Sequence, residues 1–244
     1  MLNSTQDAKV RKIIATSTLL KAKFGKLENW VADDPLDSLV AVILSQNTSD
    51  ANSWPAFQAL KKRFPNWEQL LTADTKIIAR TIRSGGLANI KAKRIKSVLR
   101  EIKQKRGKLD LSFLSQLPTP QAREFLLSLN GVGPKSAAVV LNFAFNRPTF
   151  PVDTHVYRVS QRLGLIDSRV SREKAHELME ELVPDKEKRS YHVNLIRLGR
   201  KVCIARNPRC SQCPLKKHCT YYKEVYVPQQ RNERKSGSLA KGHD

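Results

Sequence analysis

LNGVGPKSAAVVLNFAF, residues 129–145, is the stretch whose reading decides the fold. From Pro134 onward the residues are small or apolar on nearly every side, so 134–145 predicts a helix at the centre of its domain. Ahead of it, Gly131 and Gly133 flank Val132 and predict a tight turn between two helices. Glycine at i and i+2 permits positive φ where other residues clash. It also removes side chains that would keep a ligand from the backbone N–H groups. Those groups meet the N-terminus of the buried helix, whose dipole favours an anion. A plain helix–helix turn would use the same letters. Lys135 stands in the first turn against the dipole, in an electropositive and partly desolvated place that lowers an amine pKa. A neutral amine can attack an electrophilic sugar carbon and form a Schiff base. The competing role is a lysine that reaches out to a phosphate.

Downstream comes Pro151-Val152-Asp153-Thr154-His155. Asp153 occupies the N-cap position of the next predicted helix, and capping alone could explain it. Chain lengths allow more. The helix over 134–145 is roughly 18 Å long, and the connector 146–152 can reach roughly 23 Å when extended. Pro148 and Pro151 keep it extended. The chain can therefore return along its own helix and bring Asp153 to Lys135. A carboxylate there can offset positive charge developing at a sugar C1′ or help deprotonate the amine. His155 is expected to be a structural hydrogen-bonding group, and His176, His192 and His243 show no metal-ligand spacing.

The periodicity is helical almost throughout, with no strand pattern of useful length. Helices are expected over 6–23, 35–45, 51–64, 75–83, 89–106, 153–163, 171–183 and 188–201, and another from Thr119-Pro120, read as an N-cap followed by proline, to Leu129. Within 89–106, Ile95, Val98, Leu99 and Ile102 mark one face. Nine Lys or Arg fall between Lys91 and Lys108 against one acid, Glu101. Such a face is either solvated or turned to phosphates. The balance of 44 Lys+Arg to 22 Asp+Glu, a net charge of +22, calls for a polyanionic partner. No apolar run reaches the roughly 18 residues of a membrane span, and the N-terminus lacks the apolar core of a signal peptide. A cytoplasmic, nucleoid-associated location is expected.

All four cysteines lie in one window, Cys203, Cys210, Cys213 and Cys219, spaced C-x6-C-x2-C-x5-C. Cytosolic thiols stay reduced, which argues against disulfides. Four-cysteine zinc sites usually show two C-x2-C pairs, and here only Cys210 and Cys213 form one. A tight four-thiolate set also suits an iron–sulfur cluster. Spacing leaves both open, and His218 keeps a mixed zinc set in play.

LNGVGPKSAAVVLNFAF, then PVDTHVYRV, then the four cysteines resemble the endonuclease III family of DNA glycosylases, within the helix-hairpin-helix superfamily marked by a Gly/Pro-rich loop and an aspartate. The resemblance spans residues 6–225. It implies an all-α fold of two helical lobes. One is a six-helix barrel over 28–147 containing the helix-hairpin-helix. The other joins 1–27 to 148–225 and carries a [4Fe–4S] cluster on the four cysteines, and 226–244 is a basic tail expected to be disordered. It implies that Lys135 is the nucleophile, Asp153 the catalytic aspartate, and Gly131, Val132 and Gly133 the DNA-binding hairpin. Asn47, in Ser45–Asp50, stands where the family fills the gap left by an extruded base, often with a longer glutamine. Leu87 stands where a leucine intercalates opposite the lesion, and Ala88 departs from the larger residue common beside it. The implied partner is double-stranded DNA with a damaged base or abasic site, bound by a monomer. The implied activity is bifunctional: excision of an oxidised pyrimidine, then β-elimination as an abasic-site lyase. One alternative is a monofunctional mismatch glycosylase, a kind that generally lacks the lysine. Another is a non-catalytic DNA-binding module, which has no need of Lys135 paired with Asp153.

Overall fold

Apolar residues at helical spacing, punctuated by caps, give a chain of α-helices. The computed structural model describes residues 4–25 and 34–230. The helices are α1 (Ser4–Phe24), α2 (Pro35–Ser45), α3 (Asp50–Arg63), α4 (Trp67–Thr72), α5 (Thr75–Thr81), α6 (Ala88–Arg106), α7 (Thr119–Leu127), α8 (Pro134–Phe145), α9 (Thr154–Arg162), α10 (Arg172–Leu182) and α11 (Asp185–Lys201). Among the described residues there is no strand, and the fold is all-α. No helix there is long and apolar enough to cross a membrane. The chain divides into two compact units, Asn29–Thr149 and the pair Met1–Glu28 with Phe150–Asp244.

In the unit Asn29–Thr149 the core is built on α2 and α8. Leu39, Val40, Ile43 and Leu44 of α2 and Ala137, Val140 and Leu141 of α8 are buried, each larger side chain contributing roughly 1.5–3 kcal/mol. Asp34 caps α2 through Leu36 N–H at 2.8 Å, with Pro35 at the first helical position. Asp37 accepts from Lys61 at 2.8 Å and from the Trp67 indole at 3.0 Å, tying α2 to α3 and α4. Helix α4 is an addition to the predicted set. Its six residues are too few to display a period, but Asn66 caps Gln69 N–H at 2.9 Å.

Thr119 is not the cap that was expected. It is the first residue of α7, behind Pro118, and its hydroxyl accepts from Arg147 at 3.1 Å. Arg147 also donates to the carbonyls of Leu114, Ser115 and Leu117 at 3.2, 2.9 and 2.7 Å. That anchor holds the chain where Asn146, in a left-handed conformation at φ 51°, ends α8 and turns it back. The return is visible in two buried bonds. The Thr149 hydroxyl donates to Ala138 O, and the Asn142 amide donates to Thr149 O, both at 2.7 Å.

In the other unit α1 packs on α11. The hydroxyls of Thr16 and Tyr191 meet at 2.9 Å in the interior, Lys21 and Ser17 both reach Glu187, and Arg197 donates to Phe24 O at 2.9 Å. His155, as expected, is structural: its Nδ1 accepts from Arg158 at 3.2 Å, and its Cβ fills the space a side chain at Gly199 would need. After the cysteines the chain stays helical through Tyr222–Tyr226 and on to residue 230, past the expected start of the tail. Residues 231–244 of that tail, and the lobe boundary at 27/28, lie outside the described residues.

Candidate functional site

The turn before α8 is held from three directions. Glu101, the one acid of the basic helix, accepts from Asn130 N–H at 2.9 Å and from the Ser97 hydroxyl at 2.9 Å. Gln46 donates to the Ser136 hydroxyl at 3.3 Å and lies 3.5 Å from Gly131 O. Arg94 donates to the Gln46 side-chain oxygen at 2.5 Å and lies against Gly131, where an added Cβ would come within 2.6 Å of its Nε. Gly131 has φ 83°, so it is required twice over. Gly133 corrects the expectation of two left-handed glycines. Its backbone is extended at φ −93° and ψ 179°, and a Cβ there would meet nothing within 4 Å. The protein does not need that glycine for its own packing. Val132 is 5% exposed and its side chain belongs to the core, which leaves only its backbone to a ligand. Gly131 and Gly133 are exposed.

Lys135 follows as the second residue of α8 and is half-buried. Asp153, in the other unit, caps α9: one carboxylate oxygen accepts from Val156 N–H at 2.7 Å. The segment before it is pinned by side chains. Glu180 accepts from Phe150 N–H at 3.0 Å, His176 Nδ1 accepts from Val152 N–H at 3.2 Å, and His192 Nδ1 donates to Pro151 O at 2.9 Å. These three holders carried no signal in the sequence, because each bond joins residues more than 20 positions apart.

Asn47 and Leu87 both sit in loops with left-handed backbone, at φ 53° and 49°. Asn47 is exposed. Leu87 is 51% exposed, and α6 begins on it without a side-chain cap. A leucine there is strained and unburied together, which packing does not explain. Along α6 runs an open basin of about 490 Å³ lined by Ile90, Lys93, Arg94, Lys96, Arg100 and Asn130. Lys96 is engaged with Ala73 O at 2.5 Å, while Lys93 and Arg100 are exposed.

Cys203, Cys210, Cys213 and Cys219 line one small cavity with Arg162, Lys216, Tyr221 and Tyr222. All four are free thiols. Helix α9 holds the loop. Arg158 donates to Cys203 O at 3.0 Å, and Arg162 to Cys203 Sγ at 3.3 Å, Ile204 O at 2.7 Å and Ala205 O at 2.9 Å. Burial, then the charge of neighbouring thiolates, pushes the Cys210 thiol up to about 11. Burial likewise takes the Cys213 thiol up to about 11 and raises that of Cys219. Four sulfurs that repel one another's charge form a donor set for a cationic centre. Among the described residues no group of three His, Cys, Asp or Glu side chains is placed to hold a metal ion.

Residues 40–185 match the family of HhH-GPD superfamily base excision DNA repair proteins. Residues 203–219 match the iron-sulfur binding domain of endonuclease III. Endonuclease III of Thermotoga maritima is 33% identical over 84% of this chain and 91% of its own length. A protein of Arabidopsis thaliana named as a putative DNA glycosylase is 39% identical over 76% of this chain, which spans 63% of that protein. The solved structure of a trapped endonuclease III–DNA covalent intermediate superposes with a TM-score of 0.75 at 28% identity, over 91% of this chain and 98% of that one.

Proposed function

Since this chain belongs to the endonuclease III family of HhH-GPD base excision DNA repair proteins, we propose that it is a bifunctional glycosylase that excises oxidised pyrimidines from duplex DNA and then cleaves the strand. The Lys135 amine, having lost a proton, attacks C1′ of the damaged nucleotide. The C1′–base bond breaks, and the base departs with its electron pair and takes up a proton. The sugar ring opens to a Schiff base on Lys135. Loss of a C2′ proton expels the 3′ phosphate by β-elimination, and water hydrolyses the imine to return the lysine. The Asp153 carboxylate offsets the positive charge at C1′ with the oxygen that does not cap α9.

The observation that carries this reading is the return of the chain along α8. Thr149 is bonded at Ala138, one turn beyond Lys135, and Asp153 comes four residues later. That a covalent intermediate with DNA has been trapped for the structural relative supports a covalent step here. Asn47 and Leu87 act on the duplex, filling the gap and wedging the opposite strand, while extrusion costs roughly a few kcal/mol, least for a damaged base. Borohydride added during reaction with abasic-site DNA tests the proposal: a covalent protein–DNA adduct is expected, and turnover without one would contradict it.

Cys203, Cys210, Cys213 and Cys219 would hold a [4Fe–4S] cluster, which would cross-link the loop 203–219 and leave that loop's basic side chains to meet DNA. Protein purified anaerobically is expected to absorb near ~400 nm and to contain about four irons per chain. One zinc per chain in a colourless preparation would reject the cluster. Cys213→Ser is expected to lower iron content and melting temperature together.

The basin on α6 is read as a seat for backbone phosphates. With about five phosphate contacts, the log–log dependence of affinity on salt should have a slope on the order of −4 to −5. Lys93→Glu with Arg100→Glu is expected to reduce that slope by roughly 2. It should weaken intact and damaged duplexes alike, because phosphates position and do not specify. An unchanged slope would make this face merely solvated.

The hairpin glycines should separate in the laboratory. Gly131→Ala puts a Cβ at positive φ against Arg94 and is expected to lower stability by about 1 kcal/mol or more. Gly133→Ala is expected to melt as the wild type does while binding DNA more weakly, because its methyl occupies only the ligand's space. Equal melting losses in both variants would show Gly133 to be structural.

A further inference from the structure

Lys91 is 2% exposed in a helix whose other basic residues are exposed or half-buried. It stands near the N-terminus of α6, where a cation opposes the dipole, yet its ammonium is turned back into the protein. It donates to Leu44 O at 2.6 Å and to Gly85 O at 2.8 Å. Leu44 is in the last turn of α2, three residues before Asn47, and α2 has no basic residue of its own there. Gly85 ends the short turn Arg83–Gly85, two residues before Leu87. The other side of that turn is closed by α3, since a Cβ on Gly85 would lie 3.1 Å from the Ala56 methyl. Burial lowers the Lys91 pKa, and the two carbonyls, with the negative end of the α2 dipole, counter that penalty. One ammonium thus bolts together the bases of two loops, each of which carries a left-handed residue.

We propose that Lys91 is a positioning residue for base extrusion: it fixes the Asn47 loop and the Leu87 loop at one spacing, so that gap-filler and wedge enter the duplex together. The proposal rests on the reading of Leu87 as a wedge and of Asn47 as a gap-filler. Without the bolt the spacing of the two loops is loosened, and excision fails at extrusion rather than at binding or at the Lys135 chemistry.

The test is a double-mutant cycle on the holoprotein: wild type, Leu87→Ala, Lys91→Met and the double variant. The readouts are single-turnover excision of thymine glycol at saturating enzyme, affinity for the intact duplex, and fluorescence of a 2-aminopurine beside the lesion. Lys91→Met is expected to excise on the order of 100-fold more slowly, as for a misplacement away from the reacting atoms. It should keep its affinity for intact DNA and lose the fluorescence rise that reports unstacking. The double variant should be no slower than the slower single one, because both changes disable one device. Multiplicative losses, or Lys91→Met with a lowered melting temperature but full excision, would overturn the proposal while leaving the wedge intact. Normal excision by Leu87→Ala would overturn the wedge and the proposal with it. If Lys91→Met does not fold, Lys91→Gln, which keeps an N–H donor for one carbonyl, takes its place in the cycle with the same expectations.

Discussion

Lys135→Ala is expected to give no borohydride-stable adduct with abasic-site DNA and no strand cleavage, while binding the same duplex as tightly as the wild type. The loss of excision should be on the order of 1,000-fold or more, because the residue removed is the one that forms the bond. The fold should be indifferent. Lys135 is half-buried at the second position of α8, and the helix is secured by the buried Ala137, Val140 and Leu141 beyond it. Alanine is also the better helix former. Lys135→Gln, which keeps a polar side chain without the amine, should behave alike. Adduct formation by either variant at the wild-type rate would remove Lys135 from the mechanism.

The second large effect belongs to Asp153, which has two jobs that one substitution separates. As N-cap it accepts from Val156 N–H, and asparagine caps as well as aspartate does. Asp153→Asn should therefore melt with the wild type yet excise bases about 100- to 10,000-fold more slowly, the range of a lost acid–base or charge-offsetting group. Asp153→Ala should show the same loss and, in addition, about 1 kcal/mol less stability. Full turnover by Asp153→Asn would leave the carboxylate as a cap and nothing more.

What could be read beforehand divides by sequence distance. Helices α2 and α8 were legible because each is an apolar run between strong punctuation, Asp34-Pro35 before one and Gly133-Pro134 and Asn146 around the other. Helix α4 was not, since six residues hold less than two turns and only Asn66 with Gln69 marks it. Thr119 looked like a cap, but its hydroxyl is claimed by Arg147, 28 residues away. Gly133 was expected to need positive φ, yet its freedom serves only the space outside the protein. Lys91 read as one of nine basic residues on a charged face. That it points inward depends on carbonyls 47 and 6 residues away, and no local pattern encodes that.

The split of the chain has a consequence during synthesis. The unit Asn29–Thr149 is one uninterrupted run, whereas the other joins α1 from before it to the helices that follow Phe150. A nascent chain can close the uninterrupted unit as soon as it clears the ribosome, since domains fold as they emerge. By then the hairpin and its amine are in place. Helix α1 must wait for α11 to be made, because its partners Tyr191, Glu187 and Arg197 lie there. The carboxylate and the cysteine loop are translated later than the amine and settle last. On the proposed mechanism, a half-made polypeptide holds a shaped hairpin with its lysine but not yet the carboxylate, so base excision waits for the later unit to be translated.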